Sequence, residues 1–140
     1  MKVLLTGAAG FIGMHCIERL LARGDTVVGV DNMNDYYEVS LKEARLARIL
    51  DHTNFSTHRI SVEDREAMAA LFAAEKPDRV IHLAAQAGVR YSLENPYAYI
   101  DANLQGFINI LEGCRHNGVG HLVYASVAQA FSSDHEPFCL

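Results

Sequence analysis

Residues 2–13 read KVLLTGAAGFIG, and this stretch decides the fold. The lysine, valine and leucines that begin it have the make-up of a buried strand, and the apolar residues from Phe11 onward recur with helical period. Between them lies a turn spaced Gly7-x-x-Gly10-x-x-Gly13. Missing Cβ atoms in such a turn let the backbone come close to a pyrophosphate, and the helix N-terminus aims unpaired N–H groups at it. Gly13, one turn into the helix, lets that helix lie close against the sheet. A glycine-rich turn that holds no ligand is the alternative for this segment taken alone. No Gly-Lys-Ser/Thr follows, which excludes a P-loop.

The next strand ends VVGVDNMND (27–35) and sets Asp31 eighteen residues beyond Gly13. A carboxylate there can accept hydrogen bonds from both hydroxyls of an adenosine ribose. It also repels the extra phosphate of NADP, since two like charges ~4 Å apart at an effective dielectric of ~20 cost about 4 kcal/mol. No arginine lies between Asn32 and Tyr37 to reverse that preference. The residues point to NAD, the alternative for Asp31 being a solvated carboxylate at a strand end. A later strand ends IHLAAQAG (81–88). Its small residues Ala84, Ala85, Ala87 and Gly88 fall where the strand order of such a sheet reverses, the crevice in which ligands lie. By themselves they serve equally as packing or as the floor beneath a flat cofactor.

Outward from these motifs, apolar pattern predicts strands over 2–5, 26–30, 55–60, 79–83 and 121–125, and helices over 11–23, 40–50, 64–75 and 96–117. Such alternation implies βαβ units, an α/β fold whose parallel sheet is covered on both faces. The near-continuous apolar strands agree with that. Gly24 and Pro77 close the first and third helices, and Asn95-Pro96 opens the fourth. With 140 residues and no repeat or linker, the chain reads as one domain over 1–126, followed by a divergent tail over 127–140.

Twelve basic and seventeen acidic residues give a net charge of −5, which argues against a nucleic-acid partner. No stretch approaches the ~20 apolar residues that cross a bilayer. Glycines and Thr6 interrupt the one leader-like run, after Lys2. Cys16, Cys114 and Cys139 lie far apart with no C-x-x-C pair, and are read as reduced, mostly buried thiols of a cytoplasmic protein. The seven histidines show neither H-x-H nor H-E-x-x-H spacing, so no metal is expected. His82 reads as a core residue, and His116 and His121 as solvated ones. Ser132, Ser133, Asp134 and His135 are neighbours in one loop and form no triad.

Together TGAAGFIG, VDNMNDYY, DRVIHLAAQAGVRYS, ENPYAYIDANLQGFINILEGCR and HLVYAS resemble the extended short-chain dehydrogenase/reductase family. Within it they are most similar to the NAD-dependent nucleotide-sugar epimerases of the UDP-glucuronate 4-epimerase type, and the resemblance runs from Met1 to about Ser126. It implies a Rossmann-type doubly wound parallel sheet in the order 3-2-1-4-5, tightly bound NAD and a nucleotide-sugar substrate. It further implies that Gly7, Gly10, Phe11, Ile12 and Gly13 line the pyrophosphate, and that Asp31 and Asn32 hold the adenosine ribose. Leu83, Ala84, Ala85 and Gln86 then run beneath the nicotinamide half. Arg90 is placed near the substrate, where it favours an acidic sugar; its plain alternative is a surface arginine.

Departures from the family pattern are as informative. Where an aspartate usually meets the adenine amino group, this chain has Ser61 followed by Val62. A serine hydroxyl can still bond the adenine, without the charge. Ala102 stands before Asn103 where many members have a polar residue beside the cofactor ribose. Ser126 is retained as a substrate-facing candidate, whereas the expected catalytic serine or threonine aligns with Val127. The family chemistry needs a tyrosine and a lysine four apart on one helix, so that the ammonium lowers the phenol pKa. Lys2, Lys42 and Lys76 are the only lysines, and none follows a tyrosine by four.

The sheet is therefore expected to be truncated before a sixth strand and a substrate domain, with no catalytic residue assigned. Three readings stay open: an NAD-binding portion inactive alone, an isomerase completed by a longer or oligomeric assembly, and a non-enzymatic module that senses NAD or binds a partner. Self-association through uncovered sheet or the long helix is expected.

Overall fold

Strand β1 (Lys2–Thr6) alternates its leucines between two cores, and the rest of the molecule is arranged around that split. The computed structural model describes residues 1–88 and 90–126; Val127, Ser132, Ser133, Asp134, His135, Cys139 and the tail reading lie outside them. On one face Leu5 packs with Ile17 and Leu21 of α1 (Phe11–Ala22) and with Leu46 of α2 (Val39–Ala47). On the other, Leu4 packs with Met68, Leu71 and Phe72 of α3 (Arg65–Glu75) and Ile110 of α6 (Gly106–His116). Side chains two apart along a strand share a face, so adjacent leucines must serve opposite layers.

β2 (Thr26–Val30), β3 (Phe55–His58), β4 (Arg79–His82) and β5 (His121–Tyr124) complete a five-stranded parallel sheet in the order β3-β2-β1-β4-β5. The order reverses between β1 and β4, where Thr6 pairs with His82, so the loops leaving β1 and β4 open a crevice between them.

The local stop signals act as the sequence indicates. Gly24 takes φ +90° after α1, and the Gly24 and Asp25 amides bond back to Leu21 O and Leu20 O. This pairing satisfies two carbonyls that the helix leaves free. Asp64 caps α3 by accepting from the Ala67 amide at 3.0 Å, and the Asn95 carbonyl oxygen accepts from the Ala98 amide at 3.3 Å.

Three elements differ from expectation. β3 leaves the ladder at His58 rather than at residue 60, because its last partner is Val30, the end of β2. The expected long helix over 96–117 is α5 (Pro96–Tyr99), a π-helical segment (Ile100–Gln105) and α6. A further short turn, α4 (Tyr91–Glu94), precedes them. Cys16 and Cys114 are free but half-buried rather than mostly buried. His82 is buried, and His116 and His121 are exposed. Among the described residues no helix is long and apolar enough to cross a membrane.

Candidate functional site

The crevice at the β1–β4 reversal holds a cleft of about 230 Å³. Its first wall is the turn from β1 into α1. The Gly7 amide donates to Val30 O at 2.8 Å, and Gly7 itself takes φ +76°. A Cβ on Gly7 would stand 3.0 Å from the main chain of Leu83 and Ala84, so this close approach needs glycine. Gly10 begins α1 with no side chain to accept from the helix's first amides, and both Gly7 and Gly10 line the cleft. A Cβ on Gly13 would overlap the Gly7 carbonyl oxygen, so α1 lies directly on the turn.

The second wall is the loop after β2. Asp31 Oδ2 accepts from the Ala9 amide at 3.0 Å and Oδ1 from the Met33 amide at 2.9 Å. One carboxylate thus ties the glycine turn to the β2–α2 loop and still presents free lone pairs to the cleft. Asn32 Nδ2 donates to Ser61 Oγ at 3.2 Å. Lys42, buried within α2, donates from Nζ to the Asn34 carbonyl at 2.7 Å and to its Oδ1 at 3.0 Å. Arg45 reaches the Ala9 carbonyl from the same helix at 3.3 Å.

The floor follows β4. The buried Thr6 hydroxyl oxygen accepts from the Leu83 and Ala84 amides, each at 3.2 Å, and lies 2.7 Å from His82 Nδ1. With both lone pairs used, its proton goes to Nδ1, which assigns the Nε2–H tautomer of a neutral His82. Burial keeps that ring neutral, holding its pKa down to about 4. Beyond it the Gln86 amide donates to Asn103 Oδ1 at 2.8 Å, and Asn103 Nδ2 donates to Gln86 O at 3.2 Å. Asn103 lies in the π-helical segment, and such segments recur at functional sites. The Tyr99 hydroxyl donates to the Ala87 and Gly88 carbonyls. Tyr36, reaching over from the β2–α2 loop, meets Tyr91 at a tilt of 46° with ring centroids 5.1 Å apart.

Of the residues singled out from sequence, Gly7, Gly10, Asp31, Asn32, Val62, Leu83, Ala84, Ala85 and Gln86 line this one cleft, as does Ala102. Gly13 supports the turn from beneath. Ser61 is joined to the site through Asn32. Phe11 and Ile12, the first residues after Gly10, turn their side chains outward, 64% and 62% exposed, onto an apolar surface shared with Cys16, Leu20 and Ile81. Only their main-chain amides belong to the helix opening. Arg90 and Ser126 are exposed and do not line the cleft. Sequence reading missed Asn34, Tyr36, Tyr37, Lys42, Ile60 and Glu63, all of which line it. Their signal was weak, since all six lie on loops or on a helix face that reads as solvent-facing.

Comparison with known proteins agrees with this geometry. Residues 4–138 match the family model described as GDP-mannose 4,6 dehydratase. A 37.6 kDa protein of Escherichia coli O111:H- is 56% identical over 131 residues, covering 94% of this chain and 39% of that protein. A probable UDP-glucuronate 4-epimerase of Rhizobium meliloti is 46% identical, covering 99% and 41%. The crystal structure of UDP-glucose-4-epimerase from Stenotrophomonas maltophila, with bound NAD and formylated UDP-arabinopyranose, superposes with a TM-score of 0.79 at 36% identity, covering 98% of this chain and 40% of that one. The chain thus spans about two fifths of the length of the curated relatives it matches.

Proposed function

Because the chain belongs to the GDP-mannose 4,6 dehydratase family, we propose that it is the NAD-binding N-terminal portion of a nucleotide-sugar epimerase or dehydratase of the UDP-glucuronate 4-epimerase kind. The observation that carries this reading is the convergence on one cleft of a glycine turn that no Cβ fits, an uncapped helix start and the Asp31 carboxylate. Bound NAD⁺ supplies a hydride acceptor and donor for the sugar. The protein supplies the hold. Amides opening α1 meet the pyrophosphate charge. Asp31 and Asn32 take the adenosine ribose, with the Lys42 ammonium at the same end. Thr6 and Asn103 fix residues 83–86 beneath the nicotinamide half.

No tyrosine in the 140 residues is followed by lysine four positions on. No residue is therefore assigned to proton transfer, and the chain alone is catalytically incomplete in this reading. Arg90 and Ser126, on the loops after β4 and β5, are the candidate substrate-facing residues, since ligands of such sheets lie at the carboxyl ends of the strands. Residues 1–126 form the NAD-binding unit. A cytoplasmic location accords with the free thiols of Cys16 and Cys114. Self-association would use the exposed Tyr97, Ile100, Leu104 and Ile108 along α5, the π-helical segment and α6; a monomer at high concentration in light scattering contradicts it.

The missing tyrosine–lysine pair also favours a second reading, a non-enzymatic module that senses NAD or binds a partner. An epimerisation assay on UDP-glucuronate bears on both, because turnover by these 140 residues alone would overturn catalytic incompleteness. The test of the main reading is calorimetric titration with NAD⁺ and NADP⁺. Saturable one-to-one NAD⁺ binding, at least about tenfold tighter than NADP⁺, is expected from the charge of Asp31. Absence of heat and of thermal stabilisation at millimolar NAD⁺ sinks it.

A further inference from the structure

Glu63 lies between β3 and α3, on the segment that walls the cleft beyond Asn32. Its Oε2 is buried without a hydrogen-bond partner, the only buried side-chain nitrogen or oxygen of which that is true among the described residues. Leaving a buried carboxylate oxygen unpaired is costly, and such an atom calls for an explanation. Three nearby side-chain donors bond to other acceptors. Lys42 Nζ is on Asn34, Asn109 Nδ2 is on the Val62 carbonyl at 2.8 Å, and Asn32 Nδ2 is on Ser61 Oγ. The Asp64 side chain beside it caps α3 by accepting from the Ala67 amide.

The same part of the cleft is walled by Val30, Ile60, Val62 and Ala102. Apolar walls with one unpaired acceptor suit a flat ring that carries an N–H donor. We propose that Glu63 is the acceptor for the exocyclic amino group of adenine and so sets the base specificity of the site. This inference rests on the NAD reading above. It gives the amino group to Glu63 rather than to Ser61, one of whose two hydroxyl lone pairs accepts from Asn32. A ring with a carbonyl oxygen in place of the amino group would set acceptor against acceptor and be rejected.

The test titrates the wild-type chain, Glu63→Ala and Glu63→Gln with NAD⁺ and with nicotinamide hypoxanthine dinucleotide, which differs in having that carbonyl. The wild type is expected to prefer NAD⁺ by about 10- to 100-fold, the range for a hydrogen bond to a charged group. Glu63→Ala should bring the two affinities to within about threefold by weakening NAD⁺ and sparing the hypoxanthine form. Glu63→Gln can accept from the amino group or donate to the carbonyl, and should also narrow the gap. Its thermal midpoint without ligand should equal or exceed the wild type, because a buried carboxylate oxygen without a donor gives way to a neutral amide. That variant keeps the question answerable if Glu63→Ala fails to fold. A wild type that does not discriminate, or variants that keep the full preference, would overturn the assignment. If the wild type binds neither dinucleotide, the NAD reading fails and the assignment fails with it.

Discussion

Replacing Thr6 with valine removes one hydroxyl and almost no volume, yet it should disturb both stability and the cleft. Thr6 is fully buried, and its Oγ1 serves the Leu83 amide, the Ala84 amide and His82 Nδ1. The Leu83 amide has a second acceptor in the Thr6 carbonyl at 3.2 Å. The Ala84 amide and the imidazole nitrogen are then the two groups left stranded. At about 1–3 kcal/mol for each unsatisfied buried group, Thr6→Val should cost about 2–6 kcal/mol. Thr6→Ser keeps the hydroxyl and loses a methyl group, about 1 kcal/mol. Urea unfolding of the three proteins measures this. The valine midpoint should fall by roughly 1 M or more with an unchanged slope, the slope in urea being about 1–3 kcal/mol/M for small proteins. Because residues 83 and 84 floor the cleft, NAD⁺ affinity should fall with it. A valine variant as stable as the serine variant would refute the assignment of Thr6 as the common partner of these groups.

The His82 ring, held neutral by burial with a pKa of about 4 against an ordinary 6.5, should show an NMR titration midpoint near 4 while the protein stays folded. The unfolded chain takes up this proton first as the pH falls, so the contribution is intact above pH 6.5 and about 3 kcal/mol is lost by pH 4. A midpoint near 6.5 contradicts the neutral tautomer. Gly13→Ala forces a Cβ into the Gly7 carbonyl oxygen and should cost about 1–3 kcal/mol together with NAD⁺ binding. Gly24→Ala, at φ +90° with open space around it, should cost about 1–2 kcal/mol from the left-handed backbone and leave NAD⁺ affinity unchanged. Paired thermal melts and titrations check both, and equal effects of the two on affinity would contradict the close-packing role of Gly13.

What the sequence discloses and what it conceals divide along physical lines. The order of strands and helices, the start at Asn95-Pro96 and the stop at Gly24 depend on residues a few positions apart, and those were legible. The end of β3 was not, because it depends on where its neighbour β2 stops. The π-helical turn has no local mark in IDANLQ; what distinguishes it is the pairing of Asn103 with Gln86 seventeen residues away. Lys42 sits at a position of α2 that reads as solvent-facing, and only the Asn34 loop folding over its ammonium makes it part of a wall. Asp31 was legible from its spacing as a residue of the cleft, while its bond to the Ala9 amide was not. The outward turn of the Phe11 and Ile12 side chains was not legible either, because the motif fixes their position on the chain and not the direction of the side chain.

Crystals of this chain grown with NAD⁺ test the central claim most directly. Dinucleotide density is expected in the cleft, its pyrophosphate against the Gly7 and Gly10 turn and the start of α1, and its adenosine ribose beside Asp31. Density elsewhere on the molecule, or an empty cleft at saturating NAD⁺, would contradict it.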